Sequence, residues 1–125
     1  MTKYEIKDKL SEYYEIKKSG KVDILKSRLD RLATLDEDAE VKVRINELKQ
    51  AYTKAVLESD NALAQALLLI NLLDNKDRDA DVLRKYHIEG LSEKAIARQL
   101  CLKTDYIRTK RWRAYERILK KMAGN

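Results

Sequence analysis

The stretch "YHIEGLSEKAIARQLCLKTDYIRTKRWRAYERILKKM", residues 86–122, decides the fold of the C-terminal part of the chain. Ser92 is a typical helix N-cap, and a short apolar-periodic helix follows it. A three-residue turn then leads to a second, basic helix, which we expect to begin with Thr104 as its cap and to end near Met122. Two short helices joined by such a turn predict a helix-turn-helix.

The composition predicts an all-α fold. The chain has 125 residues, no proline and three glycines, which disfavours strand-rich folds with many tight turns and glycine-rich phosphate loops. A single cysteine excludes an internal disulfide, and one cysteine with one histidine cannot assemble a Cys/His zinc site. No acid–base pair has a distinguishing context. We therefore expect neither an enzyme nor a bound cofactor.

Two features of the sequence concern membranes. The first ten residues alternate charged and apolar side chains, unlike a signal peptide. The longest apolar run, residues 62–73, is interrupted by Gln65 and Asn71 and is too short to span a bilayer. We expect a protein of the cytoplasm that does not bind a membrane.

The net charge of +6 is concentrated at one end. Residues 101–125 hold eight lysines and arginines against two acidic residues, a surplus equal to that of the whole chain. A basic field confined to one terminal helix favours a polyanionic partner such as DNA. The alternative is an ordinary solvated, charged helix face.

The N-terminal region, residues 1–74, is predicted to be helical and coiled-coil-like. Apolar spacing predicts one helix from Thr2 to about Ser19, ended by Gly20, and a second to about Leu35. A three-four apolar repeat then predicts a long helix over residues 41–73, which Asp60-Asn61 would interrupt in an alternative interpretation. This helix either packs only on the first two or also dimerises, and we expect a dimer or higher homo-oligomer.

The segment "VLRKYHIEGLSEKAIARQLCLKTDYIRTKRWRAYERIL" resembles region four of bacterial sigma factors. It is still more similar to small phage-encoded regulators of the ArpU and RinA type, which place a helical N-terminal half before such a module. The resemblance covers roughly residues 76–122 and depends on "EGLS", Ile96-Ala97, Leu100, Ile107 and Arg108. It implies transcriptional regulation by binding of duplex DNA, often at late phage genes, with residues 75–125 as the DNA-binding domain.

Two residues depart from the pattern of that family. Cys101 stands where the turn usually carries glycine. Arg111 stands where related sequences carry an apolar core residue, so its charge must reach solvent or find an acidic partner such as Glu89 or Glu93. Trp112, which begins a second apolar stripe, is expected to take over the missing packing.

The basic helix supplies the candidate DNA contacts. Residues near the start of a recognition helix meet base edges, and arginine can bond guanine bidentately. The predicted base-reading residues are Thr104, Asp105, Arg108, Thr109 and Arg113. Phosphate contacts add affinity without sequence information. The residues predicted to contact phosphate are Lys94, Lys103, Lys110, Arg117 and Lys120.

The sequence therefore predicts a sequence-specific DNA-binding transcriptional regulator, encoded by a phage or prophage, that reads duplex DNA with residues 104–122. A first alternative is an interaction protein in which the sigma-like module binds RNA polymerase or another protein. A second is a DNA-packaging recognition subunit of the small-terminase kind, because such subunits also join a helix-turn-helix to an oligomerising helical part.

Overall fold

The computed structural model describes residues 1–36 and 38–124, and this part of the chain is all-helical, as the composition predicts. A π-helical turn, Arg84–Ile88, directly continues the fourth helix. The α-helices of the described residues are α1 Lys3–Ser19, α2 Lys21–Leu32, α3 Ala39–Ile70, α4 Arg78–Leu83, α5 Glu93–Leu100 and α6 Thr104–Met122. Within residues 1–36 and 38–124, no helix is both long and apolar enough to cross a membrane.

The ends of the first helices follow the local sequence. Gly20 lies between α1 and α2 in the left-handed conformation, with φ of 69°, which confirms its predicted role. The second helix ends at Leu32 rather than near Leu35, because tight backbone turns occupy the next residues: the Leu35 N–H donates to the Leu32 carbonyl at 3.1 Å. Asp38 then accepts a hydrogen bond from the backbone N–H of Val41 at 2.8 Å, which satisfies an unpaired donor at the start of α3.

Helix α3 is continuous over 32 residues. The interruption considered at Asp60-Asn61 does not occur, since both residues lie within the helix. Neither residue type strictly forbids a helical backbone. The long apolar repeat therefore forms one element, as its main prediction stated.

The chain divides into two compact units, Glu15–Asn61 and a unit that combines Met1–Tyr14 with the chain from Ala62 onward. This division differs from the predicted boundary between residues 74 and 75. The reason is a shared core: Ile6 of α1 and Ile70 of α3 belong to the same buried cluster as Ile118 of α6. The full cluster consists of Ile6, Leu10, Ala66, Ile70, Leu73, Ala80, Leu83, Ala114, Tyr115 and Ile118.

A second, smaller cluster holds the helix-turn-helix together. It contains Val82 of α4, Ile96 and Ala97 of α5, and Ile107 of α6, all buried. Partly buried apolar side chains from the flanking turns cover it, among them Leu102. This cluster fixes how α5 and α6 meet.

Gly90 ends the helical segment before α5 and permits a close approach. Its φ is 74°, a conformation that glycine adopts readily and that other residues rarely do. A Cβ atom at this position would also overlap the ring of Tyr14. The backbone at Gly90 can lie against α1 only because the residue has no side chain.

Candidate nucleic-acid interface

The connection between α5 and α6 is a tight helix-ending turn. The Leu102 N–H donates to the Ala97 carbonyl at 2.9 Å, and the Cys101 N–H donates to the Arg98 carbonyl at 3.4 Å. Both bonds belong to the Schellman motif, in which a left-handed residue ends a helix. Cys101 takes that conformation with φ of 56°, at a cost of about 1 kcal/mol for a residue that carries a Cβ. Cys101 therefore supplies the left-handed residue that this motif requires, although it is not glycine.

The N-caps of the module agree only partly with the sequence. The Ser92 hydroxyl accepts a hydrogen bond from the Ala95 N–H at 3.1 Å and caps α5, as predicted. The predicted cap of α6, Thr104, is wrong: Thr104 is already helical, and Lys103 is the extended residue before it. Among the described residues, no side chain caps this helix start. Its first backbone N–H groups therefore have no capping side-chain oxygen, a favourable setting for an anion.

Helix α6 has a buried face and an exposed face. Ile107, Ala114, Tyr115 and Ile118 are fully buried. The opposite face consists of side chains that are exposed to solvent: Asp105, Arg108, Thr109, Arg113, Glu116 and Lys120. These exposed residues include the predicted base readers Asp105, Arg108, Thr109 and Arg113.

Arg108, the predicted base reader, forms an ion pair with Glu93 at the start of α5. Its Nε and Nη2 atoms donate to Glu93 Oε1 at 3.3 and 3.2 Å. The Arg108 side chain remains 57% exposed, whereas that of Glu93 is 16% exposed. The pair therefore fixes the position of the guanidinium while leaving much of it open to solvent.

Arg111 lies in the core and binds the other oxygen of the same carboxylate. Its Nη2 donates to Glu93 Oε2 at 3.3 Å, which confirms that an acidic partner compensates this unusual residue. Its guanidinium also lies 4.3 Å from the centre of the Tyr86 ring, close enough for a cation–π interaction. Trp112 packs against the larger core cluster, as expected for the second apolar stripe.

A buried hydrogen-bond chain continues from Arg111 to the only histidine. Arg111 Nη1 donates to the Tyr115 hydroxyl at 3.1 Å, and that hydroxyl lies 2.7 Å from His87 Nε2. Since arginine can only donate, the Tyr115 hydrogen points to His87, whose Nε2 accepts as a neutral imidazole. Burial, together with the charges of Arg111 and Lys7, lowers the pKa of His87 to about 3. Burial raises the pKa of Tyr115 to about 12.

Asp79, buried at the start of α4, binds three cations of α6. Arg113 donates two hydrogen bonds of 2.9 Å, one to each oxygen of the Asp79 carboxylate. Arg117 Nη1 donates to the same carboxylate at 3.0 Å, and Lys110 Nζ donates to it at 3.4 Å. Burial alone would raise the pKa of the Asp79 carboxyl, but the hydrogen bonds from Arg113 and Arg117 lower it to about 2. Asp77 caps α4 and also accepts from Arg117, which lowers the pKa of Asp77.

These ion pairs reduce the number of unpaired positive charges on the basic helix. Of the eight cations in residues 101–125, five pair with Asp77, Asp79 or Glu93. Those acidic side chains come from the segment before the turn, where the sequence alone showed only a balanced charge. The basic field is therefore partly neutralised on the protein itself, and a binding partner meets fewer unpaired cations than the composition indicates.

The predicted site residues fall into three groups. Asp105, Arg108 and Thr109 are exposed near the start of α6, Thr104 is half-buried, and Lys94, Lys103 and Lys120 are exposed. Arg113 and Arg117 face solvent in part but are bound to Asp79.

Lys110 is 5% exposed and bound to the same carboxylate, so we remove it from the phosphate-contacting set. It lies three residues after Ile107 and four before Ala114, at the edge of the buried face.

Sequence reasoning missed two contributors to this surface. Asp79 had no signal beyond its place in the first turn of a helix, where acidic residues are common. Arg98 is exposed on α5 and carries no ion pair within the described residues. A count of outward cations on α5, not only on α6, would have found it.

Comparisons with protein-family models, with curated proteins and with solved structures give no match for this chain.

Proposed function

We propose that this protein is a sequence-specific DNA-binding regulator that places the start of α6 in the major groove of duplex DNA. The observation that carries the proposal is the exposure of Asp105, Arg108 and Thr109 on the first turns of α6, in a helix-turn-helix whose other face is anchored by Ile107. Residues at this position of a recognition helix reach base edges. The resemblance to phage-encoded regulators supports a role at phage or prophage genes inside a bacterial cell.

The base contacts follow from the chemistry of the exposed side chains. Arg108 presents a planar donor group that matches the O6 and N7 atoms of guanine, and Asp105 can accept from the amino group of cytosine. The Glu93 carboxylate pairs with the Arg108 guanidinium and holds it in place. A guanidinium held in this way is better oriented for bidentate hydrogen bonds to a base. Thr109 donates to the Asp105 backbone carbonyl at 3.1 Å, which leaves its oxygen free to accept.

Phosphate contacts are assigned to exposed cations that lack an acidic partner in the described part of the chain. Lys94 and Arg98 lie on α5, Lys103 precedes α6, and Lys120 lies in its last turn. Such contacts orient the module and make its affinity depend on salt. Arg113 and Arg117 would reach DNA only by leaving Asp79, so we place them outside the primary contact set.

The test compares a proposed base reader with a proposed phosphate contact. A binding site is first selected from random-sequence duplexes, and affinities for that site and for random DNA are then measured with Arg108→Ala and Lys120→Ala. We expect Arg108→Ala to lose about 1 to 3 kcal/mol on the selected site and much less on random DNA. Lys120→Ala should weaken both equally and reduce the slope of log K against log salt by about one.

Two outcomes would contradict the proposal. If selection enriches no sequence while RNA polymerase co-purifies with the protein, the interaction-protein alternative is preferred. If both variants weaken both DNAs by the same factor, Arg108 is not a base reader. Thermal melting supplies the control: the Arg108–Glu93 pair is solvent-exposed on one side, so its loss should change stability by less than about 1 kcal/mol.

A further part of the proposal is assembly through α3. Val43, Leu57 and Leu68 of this helix are 58%, 55% and 69% exposed, so large apolar side chains remain uncovered along it. We expect a homodimer that presents two recognition helices to half-sites about one helical turn apart. Light scattering at tens of micromolar protein should give the mass of a dimer or larger, and a monomer mass would favour reading of a single site.

A further inference from the structure

We propose that an arginine-lined cavity in the unit Glu15–Asn61 binds a phosphate-bearing anion. The cavity has a volume of about 410 Å³ and lies between α2 and α3. Its lining consists of Arg28, Arg31 and Leu32 from α2, and Arg44 and Leu48 from α3. This inference is independent of the DNA contacts assigned to α6.

The helical spacing explains why the three arginines line the same cavity. Arg28 and Arg31 are three residues apart on α2, so both lie on one face of that helix. Arg44 and Leu48 are four residues apart on α3, on the face that lines the cavity. All three arginines are solvent-accessible at the opening, so a dissolved anion can reach them.

The cavity brings together three positive charges that have no acidic partner among residues 1–36 and 38–124. The unit Glu15–Asn61 has ten basic and ten acidic residues, so it carries no net charge of its own. Nevertheless, none of the three guanidinium groups forms an ion pair among residues 1–36 and 38–124. Glu40 and Glu47 stand four and three residues from Arg44 without pairing with it. Like charges held together repel one another, and a bound anion would remove that repulsion.

The chemistry of the lining selects phosphate over carboxylate. A guanidinium group donates two parallel hydrogen bonds to a pair of oxygens, so one arginine already satisfies a carboxylate. Three guanidinium groups match an anion with more oxygens and more charge, as a phosphate or polyphosphate has. Leu32 and Leu48 add an apolar wall for the organic part of a phosphate ester. The volume lies within the range of small-ligand sites, about 300 to 1,000 Å³.

Two sources could supply this phosphate chemistry: a free phosphate compound or the backbone of a nucleic acid. Calorimetric titration of the protein with inorganic pyrophosphate, and separately with ATP free of magnesium, tests the first source. Titration with a random-sequence duplex, with and without pyrophosphate as competitor, tests the second.

The variants are Arg44→Gln and Arg28→Gln. The matched control is Lys42→Gln, which removes one charge from an exposed residue of α3 that does not line the cavity.

We expect saturable binding that Arg44→Gln and Arg28→Gln each weaken about tenfold, because one charge-assisted hydrogen bond accounts for at least that factor. Lys42→Gln should change it by less than about twofold. Binding of pyrophosphate or ATP with duplex affinity unchanged identifies a free phosphate compound. Loss of duplex affinity in the arginine variants, with competition by pyrophosphate, identifies the nucleic-acid backbone. Absence of both effects, or equal effects of Arg44→Gln and Lys42→Gln, overturns the proposal.

Discussion

Asp79→Asn is expected to lower the free energy of unfolding by about 3 to 5 kcal/mol, the usual cost of removing one partner from a buried charge network. Asp79 is 3% exposed and neutralises Lys110, Arg113 and Arg117. Asparagine keeps the shape of the side chain but leaves the 5% exposed Lys110 ammonium without a counter-charge. Urea unfolding followed by circular dichroism measures the change.

The control for this experiment is Asp81→Asn, on the same helix. Asp81 forms no ion pair within the described residues, so its loss should cost less than about 1 kcal/mol, the usual size of a helix-dipole effect. In the Asp79→Asn background, Lys110→Met should restore part of the stability, because it removes the buried charge that lost its partner. Equal midpoints for the Asp79 and Asp81 variants would show that the network contributes nothing.

Acidification is expected to destabilise the fold through His87. The pKa of this imidazole is about 3 in the folded protein, against an ordinary value of 6.5, so the unfolded chain takes up the proton first. The contribution of His87 to stability is therefore complete above pH 6.5 and is lost progressively as the pH falls towards 3. Linkage gives a loss of about 2.5 kcal/mol between pH 6 and pH 4.

His87→Gln provides the comparison, because its amide oxygen can still accept from the Tyr115 hydroxyl but does not titrate. The charged side chains that act on His87 are Arg111 and Lys7, and both lower the pKa of the imidazole. The pKa of Asp79 is about 2, so its own contribution is lost below pH 3.8, outside the window. Unfolding midpoints at pH 6, 5 and 4 should fall steeply for the natural protein and much less for His87→Gln. Parallel slopes would refute the assignment.

The features predicted best from sequence are those that depend on neighbours in the chain. Ser92 caps its helix because its hydroxyl needs only a backbone N–H three residues later. Gly20 ends α1 because of its own backbone freedom. The continuity of α3 follows likewise from a local apolar repeat, which Asp60 and Asn61 are too few to interrupt.

The ion pairs of α6 were mostly beyond sequence reasoning. Asp79 and its partner Arg117 are 38 residues apart, and their meeting depends on how α4 packs on α6. A helical wheel gives the direction of the Lys110 side chain, but it does not show that Asp79 lies beside it. For Arg111, the sequence predicted either access to solvent or an acidic partner such as Glu89 or Glu93, because a charged group cannot lie unpaired on an apolar stripe. The structure shows Glu93 as that partner. That the same carboxylate also holds Arg108 had no separate signal in the sequence.

The division of the core between distant segments has a consequence for synthesis on the ribosome. Ile6 and Leu10 belong to a buried cluster whose last member is Ile118. Chains emerge from the N-terminus, and closing a long loop costs entropy that only the later contacts repay. Helix α1 must therefore wait, with part of its apolar face uncovered, until α6 has been made. Newly made chains are most exposed to aggregation during that interval, and chaperone binding at α1 would protect them.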